Sequence, residues 1–201
     1  MILEYNGQRP QIHPSCYIAP NAVIRGNVHI GENTSVLFGA VISAEGGRVS
    51  IGSDCVIMEQ AVLRSVPKHD LIMGDRVLIG PQSHVSGATI GNDVFIATGS
   101  TIFNGAVLHD NVEVRIQGVV HINSVLKQDS VVPIGWIAVG NPAEILPPGE
   151  HEKIWSIQKE LDFPGTVFNA DRAAKVGDLT KRYARALHRH KNDKLVNTKE
   201  S

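Results

Sequence analysis

The hydrophobic positions of this chain return every six residues over most of its length. An aliphatic residue leads each unit, often followed by Gly, and a small or β-branched residue stands four places after the leader, as in the units that begin at Ile30, Ile51, Ile79 and Ile90. Neither an α-helix nor a hairpin sheet has a period of six, whereas a parallel β-helix with three short faces per turn does. The pattern therefore predicts an all-β solenoid.

The six-residue units extend from about residue 12 to about residue 139. At about 18 residues per turn, this length predicts about seven coils, more than the three that a stable stack needs. Residues 1–11 are predicted to form a short strand and a turn. Polar insertions interrupt the pattern at 43–48 and 64–70, and such insertions collect on one edge of a solenoid and often build its binding site.

The periodicity changes towards the C-terminus. Apolar residues recur at helical spacing over 150–162, which predicts an amphipathic helix that ends before a Pro-Gly pair. A second helix is predicted over about 178–190, and the polar tail from Lys191 is expected to fray. We therefore divide the chain into a β-helix domain at 1–146 and a C-terminal helical appendage at 147–201.

The composition of the chain indicates its cellular location and the classes of partner it is expected to bind. The net charge of −1 gives no general reason to expect a nucleic-acid partner, and no apolar run approaches the roughly 20 residues that span a bilayer. Cys55, one of two cysteines, falls on the small inward position of its unit, so we expect no disulfide framework. The first residues also lack the pattern of a signal peptide. We therefore expect a cytoplasmic protein without nucleic-acid or membrane partners.

The region from Asn21 to Val139, followed by Gly140-Asn141-Pro142-Ala143, resembles the hexapeptide-repeat superfamily, which holds acyltransferases and γ-class carbonic anhydrases. The closer resemblance is to the γ-carbonic anhydrases. Between Glu45 and Gly91, an acidic residue, an Ile-Gly step, a polar loop and a second Ile-Gly step follow one another in the same order as in that family. It implies a left-handed parallel β-helix, an exception to the usual right-handed crossover. It also implies a homotrimer with sites between the subunits.

The residues that carry chemistry in that family differ in this chain. The resemblance places the three zinc-binding histidines at Arg64, Pro81 and Ser86, and the glutamine tied to catalysis at Met58. A catalytic zinc needs imidazole, thiolate or carboxylate ligands, usually three from the protein. Arg offers only hydrogen-bond donors, Pro offers no side-chain ligand, and a Ser hydroxyl binds zinc poorly. We therefore expect neither zinc nor another cofactor in this site.

A permanent cation stands where the family holds its metal. Glu45 corresponds to the acid of the family's Arg-Gly-Asp segment, and Glu59 to a second acid of the family. We predict that Arg64 replaces the charge of the metal and pairs with one or both glutamates. Such a site could bind a small anion such as a carboxylate or bicarbonate. A salt bridge between subunits, with no catalytic role, is the open alternative.

Further candidates surround Arg64. His84 lies near the replaced ligand positions, either as a surface histidine or as a general base or ligand. Phe103 shares the edge of Arg64 one coil further on, where it either walls the pocket or packs against a neighbouring subunit. Asn104-Gly105 is predicted to form a corner in which Gly adopts a positive φ. The predicted catalytic residues are thus Glu59, Arg64 and His84, and the predicted ligand-binding residues are Glu45, Ser86, Phe103 and Asn104.

Three functions stay open at this point, because one fold hosts several. The first is a γ-carbonic anhydrase-like trimer that has lost zinc chemistry and binds a small anion between subunits or serves as a scaffold. The second is a coenzyme A-dependent acyltransferase, since the segment Ala138–Ala143 resembles the closing segment of those enzymes, with His84 or His109 as base. The third, metal-dependent hydration through unconventional ligands, ranks last on ligand chemistry.

Overall fold

The computed structural model describes residues 1–196, which form 24 β-strands and three α-helices. The strands are β1 (Ile2–Glu4), β2 (Gln11–Ile12), β3 (Tyr17–Ile18), β4 (Val23–Arg25), β5 (Val28–Ile30), β6 (Ser35–Val36), β7 (Val41–Ala44), β8 (Val49–Ile51), β9 (Val56–Ile57), β10 (Val62–Ser65), β11 (Leu71–Met73), β12 (Leu78–Ile79), β13 (His84–Ser86), β14 (Thr89–Ile90), β15 (Phe95–Ile96), β16 (Thr101–Ile102), β17 (Val107–Leu108), β18 (Glu113–Val114), β19 (Val119–Val120), β20 (Val125–Leu126), β21 (Val131–Val132), β22 (Ile137–Val139), β23 (Glu144–Leu146) and β24 (Lys194–Leu195). The helices are α1 (His151–Gln158), α2 (Phe163–Phe168) and α3 (Val176–Leu187), and a 3-10 helix follows at His188–Asn192.

Three sheets form the faces of a solenoid. The first face contains β1, β4, β7, β10, β13, β16, β19 and β22 in parallel, with β24 and β23 antiparallel at its two ends. The second face contains β2, β5, β8, β11, β14, β17 and β20, and the third face contains β3, β6, β9, β12, β15, β18 and β21. From β1 to β22 each turn of the chain contributes one strand to each face. This arrangement confirms the predicted parallel β-helix of hexapeptide repeats, with helices at its C-terminal end.

The solenoid is about one coil longer than the sequence predicted. The first face has eight parallel strands, whereas the other two faces have seven each. The additional strand is β1, in which Ile2 pairs with Ile24 and Leu3 pairs with Arg25. The six-residue pattern is missing there because a tight turn, closed by a bridge between Tyr5 and Gln8, follows β1 directly.

Each strand directs aliphatic side chains into the interior of the solenoid. On the first face the residues stacked inside are Ile24, Ile42, Leu63, Val85, Ile102 and Val120, all fully buried. Full burial of such a side chain stabilises the fold by roughly 1.5–3 kcal/mol. The neighbours of these residues along each strand point outward, so the outer surface of the first face is built from the positions that flank this stack.

The Gly that follows many of the leading residues is required by the close approach of successive coils. A Cβ atom on Gly52 would lie 2.5 Å from the carbonyl oxygen of Gly74, and a Cβ atom on Gly31 would lie 2.7 Å from the backbone of Gly52. No side chain fits at these distances without moving the backbone of the next coil. The repeated Ile-Gly step is therefore a steric requirement of stacking.

The C-terminal helices differ in their bounds from those expected from the pattern. The first ends at Gln158, before the predicted 162, and Pro164 lies within the first two positions of α2. A Pro is tolerated there because its missing N–H would have no partner within the helix. The predicted helix over 178–190 corresponds to α3 and the 3-10 helix together. Within residues 1–196, no helix combines the length and apolar character needed to cross a membrane.

The last described residues return to the start of the chain. Strand β24 pairs with β1, where Leu195 lies opposite Leu3, and Asp193 forms an ion pair with Arg25. Residues 191–196 are thus held in place, unlike the fraying that their polar composition predicted, because their partners lie on the first coils. The rest of that predicted tail, 197–201, lies outside the described residues. The domain division at 146 stays a prediction.

Candidate functional site

One column of outward side chains runs along the end of the first face. The strand register places Arg25 beside Ser43, Ser43 beside Arg64, and Arg64 beside Ser86. Phe103 and His121 follow the strands of the next two coils and continue the same column. The structure thus brings Arg64, Ser86 and Phe103 onto one edge.

A cavity of about 330 Å³ opens beside this column, between the first face and the C-terminal helices. One wall is the insertion at 64–70, where the backbone groups of Val66 and His69 hydrogen bond in both directions, at 2.9 and 3.0 Å. The opposite walls come from α2 and α3. The second insertion therefore helps to build the cavity, together with a C-terminal segment that the six-residue pattern does not include.

Arg64 lines this cavity, and within residues 1–196 it has no carboxylate partner. Its Nε is buried and donates to no acceptor in that part of the chain. Its Nη2 donates to the hydroxyl of Tyr183 at 3.5 Å, which is beyond the usual hydrogen-bond range. Because a guanidinium has five N–H donors, the two Nη groups of Arg64 keep donors that no group in residues 1–196 satisfies.

The structure corrects the prediction that Arg64 pairs with Glu45 or Glu59 of the same chain. Glu45 lines the cavity, but its Oε1 accepts from Nη1 of Arg25 at 2.9 Å, and its Oε2 lies 3.2 Å from Nε2 of His190. Arg25 is only 4% exposed and therefore requires carboxylates next to it. Glu59 follows β9, at the opposite end of β10 from Arg64.

Arg25 is the centre of an ion-pair cluster that the sequence analysis did not identify. Its Nε and Nη2 donate to the two carboxylate oxygens of Asp193, and its guanidinium carbon lies 3.7 Å from the ring centroid of Tyr5. Burial acts to lower the pKa of Arg25, but the hydrogen bond to Asp193 and the charge of Glu45 outweigh it and raise that pKa. The sequence around Arg25 shows only an Arg at an outward position of a strand. Its partner Asp193 is 168 residues away, so no local pattern predicts the pair.

His84 lies on β13, and its imidazole is close enough to Arg64 for the two charges to interact. Burial lowers the pKa of His84 below its ordinary value of 6.5, and the charge of Arg64 lowers it further. The imidazole is therefore neutral at physiological pH and keeps a lone pair. Of the three predicted catalytic residues, Arg64 lines the cavity, His84 lies on the neighbouring strand outside the cavity walls, and Glu59 lies beyond the other end of β10.

Phe103 packs against helices of its own chain. Its ring centroid lies 5.9 Å from that of Phe163 and 6.0 Å from that of His121. The aromatic contacts continue from Phe163 to Phe168 at 6.2 Å, and from there to Tyr183 at 6.0 Å, with edge-to-face geometry. Phe103 thus packs α2 against the solenoid, α2 in turn contacts α3 through Phe168, and Phe103 is not itself a wall of the cavity.

Ser86 and Asn104, the other predicted ligand-binding residues, are buried. Ser86 lies beside Arg64 in the strand register. Asn104 lies at a corner, where Gly105 adopts the predicted positive φ of 76° and the carbonyl oxygen of Asn104 accepts from the backbone of Asn123. Neither residue reaches the walls of the cavity.

A second, more open groove of about 600 Å³ crosses the outer side of the third face. Met58 and Pro81 line it together with the apolar side chains of Phe95, Ile116 and Ile134. These three large side chains are 41%, 47% and 62% exposed. The third face therefore carries a broad apolar surface.

Known proteins share both the repeats and the fold of this chain. The family described as "Bacterial transferase hexapeptide (six repeats)" matches residues 9–44 and 70–104. The repeats of this chain are thus similar to those of the hexapeptide-repeat family. The unmatched stretch between these segments contains the insertion that walls the cavity.

Among curated proteins, the chain is similar to gamma carbonic anhydrase 1, mitochondrial, of Arabidopsis thaliana, with 30% identity over 68% of this chain and 50% of that protein. It is also similar to a carbonic anhydrase of Geobacillus kaustophilus, with 36% identity over 53% of this chain and 58% of that one. The chain thus spans about half the length of the curated relatives it matches. These similarities confirm the resemblance to the γ-carbonic anhydrases.

Among solved structures, a hexapeptide transferase family protein from Anaplasma phagocytophilum has a TM-score of 0.53 and 26% identity. The match covers 81% of this chain and 92% of that protein. This chain is therefore similar in sequence to proteins named carbonic anhydrases, and similar in structure to a protein named as a transferase.

The resemblance assigns the family's three zinc-ligand positions to Arg64, Pro81 and Ser86. Arg64 is a cation without a lone pair to donate, Pro81 has no ligand atom in its side chain, and the hydroxyl of Ser86 is a weak ligand. In the described part of the chain, no three His, Cys, Asp or Glu side chains are grouped so that they could hold a metal ion.

Proposed function

We propose that this protein is a γ-carbonic anhydrase-like hexapeptide-repeat protein that binds a small anion at Arg64 in place of zinc hydration chemistry. The observation that carries the proposal is the state of Arg64. It lines a cavity, its Nε is buried without an acceptor, and no carboxylate of residues 1–196 neutralises it. A carboxylate or bicarbonate would supply acceptors for the Nη groups of Arg64 and the missing negative charge.

The other charges around the cavity support an anionic ligand. Besides Arg64, the cations in its walls are Lys68, Arg182 and Arg189. The acid in the walls is Glu45, whose charge is already offset by Arg25 at 2.9 Å. The potential inside the cavity is therefore positive, which favours the entry of an anion.

We also propose that the protein is a homotrimer in which the third face of one copy contacts the next copy. The exposed side chains of Phe95, Ile116 and Ile134 support this, because they line one groove and would be removed from water in a contact between copies. The same face could serve a role as an assembly scaffold. A cytoplasmic location, without nucleic-acid or membrane partners, is part of the proposal.

The positions that correspond to the family's site lie on two different surfaces of one chain. Met58 and Pro81 line the groove of the third face, whereas Arg64 and Ser86 belong to the first face. Contact between two copies would bring these surfaces together. This division supports a site near the boundary between subunits.

A coenzyme A-dependent acyltransferase is the second candidate function. Its support is the match to the transferase hexapeptide family and the likeness to the hexapeptide transferase family protein from Anaplasma phagocytophilum. His84 or His109 is the candidate base for it, and the pKa of His84, lowered first by burial and then by the charge of Arg64, supports His84. Titration with coenzyme A distinguishes the two functions, since the anion-binding protein takes up no coenzyme A.

The test of the first proposal is isothermal titration calorimetry of the full chain with sodium bicarbonate and sodium acetate. We expect saturable binding that Arg64→Gln weakens by about tenfold or more, because a charged hydrogen-bonded contact is lost. The matched control is Arg76→Gln, an exposed Arg paired with Asp93 far from the cavity, which leaves binding unchanged. Absence of binding, or equal affinity in the Arg64 variant, would overturn the proposal.

Metal content is measured on the same preparation, purified without chelators or an affinity tag. We expect far less than one zinc ion per chain, because Arg64, Pro81 and Ser86 cannot form a zinc site. Zinc near one equivalent would show that the ligands lie elsewhere, with His84 the first residue to substitute.

A further inference from the structure

We propose that the natural ligand of this cavity is a carboxylate with an apolar body, of the class of medium-chain aliphatic acids, and not a bare inorganic anion. The proposal rests on anion binding at Arg64, as argued above, and adds the chemical class of the ligand. The geometry that carries it is the juxtaposition of one unpartnered guanidinium with a largely apolar enclosure.

Apolar side chains line each side of the enclosure, together with the charged side chains of Glu45, Lys68, Arg182 and Arg189. The turn after β10 contributes Val66 and Pro67, α2 contributes Val167 and Phe168, and α3 contributes Tyr183, Ala186 and Leu187. A bare anion at Arg64 would leave these surfaces facing water. A ligand with several methylene groups would cover them, and each methylene fully buried strengthens binding by about fourfold.

Two polar groups that can hold a carboxylate lie next to each other in the cavity. Nη2 of Arg64 lies 3.5 Å from the hydroxyl of Tyr183, so both groups can donate to the same carboxylate. The volume of about 330 Å³ is at the lower end of the range of roughly 300–1,000 Å³ found for small-molecule sites. A carboxylate head at Arg64 and a short apolar body between Pro67 and Leu187 match this distribution of polar and apolar groups.

The cavity is closed by the C-terminal helices α2 and α3, and not by the six-residue repeats. Without α2 and α3, Arg64 would lie on an open sheet surface with no apolar roof. The roof is held by the aromatic contacts of Phe163 with Phe103 and of Phe168 with Tyr183. The selectivity for an apolar body is therefore located in α2 and α3.

The test compares the affinities of sodium acetate and sodium hexanoate for the full chain by isothermal titration calorimetry. We expect hexanoate to bind about tenfold or more tightly than acetate, and Arg64→Gln to weaken both by about tenfold or more. Leu187→Ser is expected to reduce the ratio of the two affinities, because it removes part of the apolar wall. The control is Val176→Ser on the same helix, a residue 77% exposed and outside the cavity, which changes neither affinity. Far-UV circular dichroism verifies that each variant is folded.

The outcomes separate this inference from the proposed function. Binding of acetate and hexanoate with equal affinity, lost in Arg64→Gln, would overturn the apolar-body inference and leave anion binding intact. Tighter binding of hexanoate that persists in Arg64→Gln, or that Leu187→Ser does not affect, would place the hexanoate site elsewhere and overturn the inference. Binding of neither probe would overturn both.

Discussion

Arg25 and Asp193 are 168 positions apart in the sequence and form a two-point ion pair on the outside of the solenoid. Arg25 belongs to β4, and Asp193 follows the 3-10 helix that continues from α3. Because Arg25 is almost fully buried, water cannot readily replace Asp193 as the partner of its guanidinium. It fixes the end of the segment that roofs the cavity, so the shape of the candidate site depends on a contact between the two ends of the chain.

The first prediction concerns this pair. Asp193→Asn is expected to lower the free energy of unfolding by about 1.5–3 kcal/mol, because a hydrogen bond to a buried charge is weakened. Urea denaturation followed by circular dichroism measures the change. Asp93→Asn is the matched control: it removes a carboxylate from the pair with Arg76, in which both side chains are about half exposed, and little change is expected. Equal losses in the two variants would contradict the structural role of Asp193.

The second prediction is a pH dependence that arises from buried histidines. Burial lowers the pKa of His121 below 6.5, so as the pH falls the unfolded chain takes up the proton before the folded chain does. Stability is then fully present above about pH 6.5 and is lost as the pH falls towards the folded-state pKa. His69 and His84, whose pKa values are also lowered by burial, act in the same direction.

Thermal unfolding at a series of pH values tests this linkage. His121→Phe, which keeps an aromatic ring beside Phe103 and Phe163, is expected to show a smaller fall in Tm below pH 6.5 than the unaltered protein. His109→Phe, at an exposed position, serves as the control. An unchanged pH profile in the His121 variant would show that this residue does not contribute.

The third prediction tests the steric origin of the Ile-Gly step. Gly52→Ala is expected to destabilise the protein by about 1–3 kcal/mol, because its Cβ atom would lie 2.5 Å from the carbonyl oxygen of Gly74. Gly177→Ala, within α3 and with open space around it, is expected to stabilise by up to about 1 kcal/mol. Both changes are measured by urea denaturation. A neutral Gly52→Ala would mean that the coils can separate without cost.

The fourth prediction concerns the third face. Ile134→Lys is expected to shift the proposed trimer towards monomer, because it places a charge on the apolar groove. Size-exclusion chromatography with light scattering measures the mass. Val176→Lys, an equally non-conservative change at an exposed position of α3, is expected to leave the assembly intact. A monomeric unaltered protein would refute the trimer, and an unchanged trimer in the Ile134 variant would place the interface elsewhere.

The solenoid could be predicted from the sequence because its rule is local. Each coil repeats the same steric solution, a buried leader such as Ile51 followed by a Gly where the next coil approaches. The short strand and turn at residues 1–11 were predicted, but not as part of the solenoid, because β1 is joined to the next strand through a tight turn and not through a six-residue unit. The six-residue pattern therefore identifies the coils that repeat it and does not identify β1 as part of the solenoid.

The candidate site could be predicted only in part. Arg64, Ser86 and Phe103 were found on one edge because repeat spacing determines which residues stack. The partner of Glu45 could not be predicted. Glu45 forms an ion pair with Arg25 and not with Arg64, because Arg25 is buried and is held in place by Asp193. Such pairings depend on how the last residues of the chain return to the first, which no periodicity describes.

Both ends of the first face are closed by strands that run against its direction. The antiparallel β24 covers β1, and the antiparallel β23 covers β22. A solenoid with bare ends offers its terminal N–H and C=O groups as a template on which another molecule can continue the stack. Here an incoming coil meets a short strand of the opposite sense, so its parallel register has nothing to extend. End-to-end growth through the first face is thereby discouraged.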